Sequence, residues 1–299
     1  MTNLRVEYAS SSLIGTDYHA KITAAQHFCA RLGWTLGIQI HNVTDLDWIE
    51  RLAAAGTPLS YHAPLCSEYF LNLANAEFSY ARQSFASTAR IIRRFGPGLA
   101  VFHGFLMTDL PILAFNRERS LDECLAVARR DELCLAGSPF CSDFLDTPEY
   151  TQRLARVKQR LAQIAADFPD IQWCIENDFP VYGGGLLLAE PMAALDAPLC
   201  LDLSHLWVAC LLLRRDYHRQ IALLAASRRV RCVHLHANPL PLDTPVRELR
   251  DGHRSLATPN HMRLHDTVRL LRDNGVAHWV LETPEADLPD LETLAAWLA

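Results

Sequence analysis

The sequence lacks an apolar run long enough to cross a membrane: the longest candidate, 206–213, is under half of the roughly 20 residues that a spanning helix needs. Its first residues, MTNLRVEYAS, lack the basic region, apolar stretch and small-residue cleavage site of a secretory leader, so a cytoplasmic location is the expectation. No two of the nine cysteines stand in C-x-x-C spacing and their total is odd, which speaks against a disulfide framework. Reduced thiols, several of them buried in strands, are expected instead. Cys124, Cys134 and Cys141 share one segment, but at a spacing that fits no zinc module. Basic charge is also scarce, since 28 Lys and Arg against 34 Asp and Glu leave a formal charge of −6. That balance disfavours nucleic acid as a partner and leaves a small-molecule substrate as the expectation. With no internal repeat, low-complexity tract or Pro/Gly/Ser-rich linker, residues 1–299 read as one domain.

What is present is an alternation. Short runs rich in Val, Ile and Leu occur at 4–8, 35–40, 58–62, 99–103, 171–176, 199–203, 231–236 and 278–282, with helical patterns between them. Strands alternating with helices predict βαβ units around a parallel sheet, and eight such strands predict an α/β fold, a single (β/α)8 barrel. Asp17 is expected to open a helix over 19–32, Thr44 with Asp47 one ending at 55, and Thr147-Pro148 one over 149–168. Asn260 and Gly275 bracket another, and weaker patterns mark 78–95, 191–195, 216–226 and 288–298. One segment breaks the rhythm. Residues 104–146 separate the fourth strand from its helix by far more than the usual two to six residues, and read as an insertion that could serve as a lid over the active-site end.

The strand ends carry the chemistry. His62 and His103 close the third and fourth strands and Glu176 the fifth, where a buried carboxylate without a cation would be costly. Asp202 ends the sixth, with His205 three residues on. In the seventh, His234 and His236 point the same way because strand side chains alternate. One of these could be a ligand and the other a residue behind it. Asp251 and His253 stand two apart in a loop, and Glu282 ends the eighth strand. Imidazole and carboxylate ligands without thiolate suit Zn²⁺, Mn²⁺ or Fe²⁺, one to three ions per chain.

These residues resemble the xylose isomerase-like barrel superfamily, which holds sugar and sugar-phosphate isomerases and epimerases together with nucleases of the endonuclease IV type. The resemblance runs over nearly the whole chain, through H-A-P-L and L-N-L-A-N (His62, Leu71–Asn75), E-N (Glu176–Asn177), D-x-x-H (Asp202–His205), H-L-H (His234–His236), D-x-H (Asp251–His253) and L-E-T-P (Leu281–Pro284). It implies a first ion on His62, His103 and Glu176, a second on Glu176, Asp202, His234 and Glu282, and a third on His205, Asp251 and His253. His236, Asn177 and Asn72 would stand behind the ligands or meet substrate. The sequence departs from the family pattern at Ala237, where an acidic residue is usual, and in the S-L-A-T-P-N that follows D-G-H-R.

Two or three ions would suit hydrolysis of a phosphoester, small molecule rather than DNA, with Glu176 and Asp202 orienting the nucleophile. One ion would suit sugar or sugar-phosphate isomerisation or epimerisation, with Glu176 and Glu282 as acid and base. The expectation leans to the hydrolase; an iron-dependent oxidative enzyme is a further alternative.

Overall fold

The computed structural model describes residues 4–15, 17–42, 44–96, 98–115 and 118–299. Eight parallel strands, β1 (Arg5–Ala9), β2 (Thr35–Ile40), β3 (Leu59–Ala63), β4 (Leu99–His103), β5 (Gln172–Glu176), β6 (Leu199–Asp202), β7 (Val230–Leu235) and β8 (His278–Leu281), pair in sequence order, and β8 pairs with β1 to close the barrel. Every expected strand is present within a residue or two of its expected bounds. His236 and Glu282, expected as last strand residues, lie just beyond β7 and β8.

Ten helices surround the strands: α1 (Tyr18–Arg31), α2 (Leu46–Ala54), α3 (Ser79–Phe95), α4 (Leu121–Ala126), α5 (Pro148–Asp167), α6 (Ala189–Ala194), α7 (Leu203–Leu213), α8 (Tyr217–Ser227), α9 (Leu264–Asp273) and α10 (Leu288–Leu298). Asp17 and Thr147 cap α1 and α5 as expected, accepting from the amides of Ala20 and Tyr150. The start of α2 differs from expectation: Asp45, and not Thr44, accepts from Trp48 N, while Thr44 is buried against Ser10. Helix α7 has no counterpart among the expected helices. Its residues are apolar almost all round because it is buried on most sides, so it shows no amphipathic stripe.

Alternation along each strand sorts the side chains into two environments. Tyr8, Ile38, Tyr61, Phe102, Trp173, Leu201, Val233 and Trp279 belong to the large core between barrel and helices, whereas Ala9, Val101, Cys174, Cys200, Cys232 and Val280 form a separate small cluster inside the barrel. All nine cysteines are free thiols, eight of them buried. Cys124 packs with Phe70 and Leu106 in a third cluster, apart from Cys141 in the main core.

The described residues of 104–146 include α4 and a 3-10 turn at Asp131–Leu133, and are pinned to the barrel at several points. Phe105 stacks on Tyr150, Arg130 pairs with Glu149, and Leu106 and Phe140 bridge to Gly184 and Val181 in the loop after β5.

At the amino-terminal end of the barrel, Glu7 is fully buried and meets Arg5 Nε at 2.6 Å, His278 Nε2 at 3.1 Å and the Ser60 hydroxyl. Gly37 makes room for it, since a Cβ there would lie 2.7 Å from Glu7 Oε1. Burial alone would raise the carboxyl pKa, but His278, Arg5 and Ser60 outweigh it and hold it at about 2. Such a carboxylate adds stability that is present above its ordinary value of 4.5 and lost as the pH falls from there towards 2. Glu7→Gln is therefore expected to remove on the order of 3 kcal/mol of acid-dependent stability. Urea melts across this pH range check it: an acid limb as steep as that of wild type would contradict the assignment.

Candidate metal centre

The structure brings His62, His103, Glu176, Asp202, His234 and Glu282 together at the carboxy-terminal end of the barrel. Glu176 has its two oxygens turned to different neighbours: Oε2 lies 3.0 Å from His62 Nε2 and 3.5 Å from His103 Nε2, while Oε1 lies 2.7 Å from His234 Nδ1. That same Nδ1 is 2.8 Å from Glu282 Oε2 and 3.9 Å from Asp202 Oδ2. A ring nitrogen has one proton to give, and two carboxylates stand within hydrogen-bond reach of it. Glu176 Oε2 and Glu282 Oε2 are left buried without a hydrogen bond among the described residues.

A second meeting point lies beside the first. Asp251 Oδ2 is 2.9 Å from His205 Nε2 and 2.8 Å from His253 Nε2. Each ring is oriented from behind, His205 Nδ1 by the carbonyl of Asn177 at 3.1 Å and His253 Nδ1 by that of Glu282 at 2.7 Å. With the Nδ1 protons committed to carbonyls, the neutral rings direct Nε2 lone pairs at the carboxylate, an arrangement that calls for a cation or for extra protons. Ser204 Oγ, 2.7 Å from Asp251 Oδ1, fixes the carboxylate in turn.

The electrostatics agree. Burial opposes ionisation of Glu176, Glu282 and Asp251, yet the adjacent imidazoles outweigh it and hold all three carboxyls well below their usual range. Burial likewise opposes charge on His205, His234 and His253, but the carboxylates raise all three, His253 to about 10. The donor set therefore fits divalent ions, with protons holding the same positions when no ion is there.

A further set of polar side chains lies behind these carboxylates and imidazoles. His236 Nδ1 accepts from His253 N at 2.9 Å, so its Nε2 carries the proton and donates to Asp202 Oδ2 at 2.9 Å. Both nitrogens are used, which makes His236 a support for Asp202. Asp202 also caps α7 through His205 N at 2.7 Å, so the positive end of that helix faces it. Asn177 exchanges two hydrogen bonds with the Asp202 backbone, at 2.8 and 2.9 Å. Asn72 has its amide committed to the backbone of Leu106, Thr108 and Ala74, and so fastens the loop after β3 to the start of the 104–146 segment.

Sequence reasoning missed His41 and Asp178. His41 follows β2, lies 3.8 Å from Glu282 Oε1 and 5.2 Å from the His62 ring centre, and burial pushes its pKa down to about 3. Asp178 Oδ1 is 3.4 Å from His103 Nδ1, while Oδ2 accepts from Gly185 N and Leu186 N. Their signal was a His directly after the second strand and an Asp directly after E-N. A cavity of about 600 Å³ bounded by Tyr150, Leu154, Leu188 and Arg219 lies among the outer helices and includes none of the ligand residues.

Fold and mouth together define a (β/α)8 barrel with a buried carboxylate–imidazole centre. No family model and no curated protein matches the sequence. Solved structures do. A D-tagatose 3-epimerase-like protein aligns at 12% identity and a TM-score of 0.59, over 98% of this chain and 96% of that one. An L-ribulose 3-epimerase aligns at 12% and 0.52, over 97% and 86%. A Thermus thermophilus protein soaked with zinc chloride aligns at 17% and 0.50, over 99% and 98%. The likeness is one of fold: the chain shares the (β/α)8 barrel of these proteins.

Gly252, between Asp251 and His253, touches backbone so closely that a Cβ would lie 2.4 Å from the Ala237 carbonyl oxygen and 2.7 Å from Asn238 Cα. Gly252→Ala should push the loop outward and lower ion occupancy at His205, Asp251 and His253, read by elemental analysis. His236→Phe should weaken ion affinity about 10–100-fold, as loss of a residue behind a ligand does. Unchanged titration curves for both variants would refute these roles.

Proposed function

We propose that the chain is a divalent-metal-dependent enzyme that isomerises or epimerises a small polyoxygenated substrate of the sugar or sugar-phosphate class. The observation that carries this reading is the approach of Glu176 and Glu282 to the same His234 nitrogen, at 2.7 and 2.8 Å, which sets two carboxylates around one ion position. His62, His103 and Glu176, then Glu176, Asp202, His234 and Glu282, would hold the ions. A bound divalent ion supplies polarisation of a substrate carbonyl and so acidifies the neighbouring carbon-bound proton. Glu282, 8% exposed against 1% for Glu176, is the better placed to take that proton and to hand it back to the adjacent carbon in an isomerisation; in an epimerisation Glu176, once it has itself taken a proton from an adjacent imidazolium, would return one on the opposite face. The imidazoles beside them keep both carboxylates ionised at neutral pH, the state in which a base acts. Residues 104–146 would form the rim that shapes substrate access, and His41 would line it beside Glu282. The 3-epimerase names among the fold neighbours support this chemistry, and the zinc-soaked neighbour supports the metal.

Phosphoester hydrolysis is the second reading, favoured by the His205–Asp251–His253 group, for which a one-ion isomerase has less need. The deciding experiment measures metal content of protein purified without added metal, wild type and Asp251→Ala/His253→Ala, alongside conversion of ketoses, aldoses and their phosphates and hydrolysis of small phosphoesters. Sugar conversion that survives the double substitution supports the isomerase. Phosphoester cleavage that disappears together with an ion supports the hydrolase, iron-bound protein that consumes O₂ would replace both with an oxidative reaction, and metal-free wild type would sink all three.

Because neighbouring carboxylates raise His205, His234 and His253, ion loading at pH 7 is expected to release protons, and affinity to fall as the pH drops. Calorimetry in buffers of different ionisation enthalpy measures the release; a heat independent of buffer would contradict it.

A further inference from the structure

Below the carboxylate–imidazole centre, the barrel interior holds a layer of thiols. Cys200 and Cys232 are register partners across β6 and β7, both fully buried, and Cys174 on β5 belongs to the same small cluster with Val101 and Val280. His234 follows Cys232 by two residues and so faces the same interior. Ligand atoms of Cys200, Cys232 and His234 all lie within 4.8 Å of one another. The ring of His234 is used on one side only: Nδ1 meets Glu176 and Glu282, whereas Nε2 is buried with no hydrogen-bond partner among the described residues.

We propose that Cys200, Cys232 and His234 form a second, thiophilic metal site, for Zn²⁺, inside the barrel one layer below the mouth. Small apolar packing accounts for the cysteines but leaves a ring nitrogen buried and unsatisfied, which proteins avoid. Two thiolates and one imidazole are ligands that zinc takes readily. Loading displaces one proton from each thiol, and the two thiolates cancel the charge of the ion, so the occupied site is neutral in a layer otherwise made of Val, Ala and Leu. The mouth differs in kind, being built of carboxylates and imidazoles. With zinc on Nε2, the ring of His234 would keep its proton on Nδ1 for Glu176 or Glu282, and an ion on Nδ1 as well would displace that third proton and make the ring a bridging imidazolate. The site does not depend on which reaction the mouth performs.

Cobalt(II) tests it, because a cobalt–thiolate bond gives an intense near-ultraviolet charge-transfer absorption that carboxylate and imidazole ligands do not. Metal-free full-length protein loaded with Co²⁺ is expected to show this band, to keep it in Asp251→Ala/His253→Ala, and to lose it in Cys200→Ser/Cys232→Ser with the far-ultraviolet circular dichroism unchanged. Should the double serine variant not fold, wild type answers alone: zinc should protect two cysteines from alkylation in mild urea, counted by mass spectrometry and mapped to positions 200 and 232. Ions bound without the charge-transfer band, or equal alkylation with and without zinc, would overturn the thiol site while leaving the reading of the mouth intact.

Discussion

Carboxylates buried side by side repel, and the structure turns on how that repulsion is balanced. Glu176, Asp202, Asp251 and Glu282 crowd the mouth of the barrel, each within reach of at least one imidazole. Burying such acids without compensation would cost more than a domain of this size has to spare. Imidazole nitrogens answer the charge when protonated, and on the proposed reading divalent ions would compete with those protons for the same positions. Around them stands a ring of hydrogen bonds to backbone: His205 to the Asn177 carbonyl, His253 to the Glu282 carbonyl, His236 between Asp202 and the His253 amide. These bonds choose which nitrogen of each ring faces the centre, and they tie the ligands to the barrel.

The barrel supplies this arrangement through its alternation. Every second residue of a strand points inward, and the closed register stacks these residues in levels. A charged level at the amino-terminal end holds Glu7 with Arg5, Ser60 and His278. A dry middle level holds Val101, Cys174, Cys200, Cys232 and Val280, and the ligands form the top. Polar groups thus occur at both ends of the interior with an apolar layer between them, which keeps the two sets of charges from sharing partners. In strand β7, His234 meets two levels, because its Nδ1 reaches the carboxylates while a ring nitrogen lies within 4.8 Å of the thiol sulfurs.

The outer parts serve the same end. Arg153 and Arg160 on α5 donate to the carbonyls of residues 73–75, and Asn72 ties that loop to Leu106 and Thr108. Residues 104–146 are bound in this way to the loops after β3 and β5, and the loop after β5 carries Asp178 and Phe179 against His103 and His205. Residues 104–146 and the carboxylate–imidazole cluster are therefore linked through shared loops.

Much of this was legible in the chain itself. Strand positions follow from short β-branched runs, and the side chains gathered at the mouth from His, Asp or Glu at the ends of those runs, because a local period of two decides both the element and the face. His62, His103, Glu176, Asp202 and His234 could be found that way. Helix α7 could not, since burial on most sides erases the amphipathic stripe by which a helix is recognised. His41 and Asp178 stayed hidden because a lone polar residue after a strand looks like any loop residue until its neighbours in space are known. Pairing of Asp251 with His205 across 46 residues, the choice of ring nitrogen in His236, and the gathering of Cys200 with Cys232 beneath His234 were likewise decided by barrel closure alone. Local periodicity settles which way a side chain points; only the closed register settles what it meets.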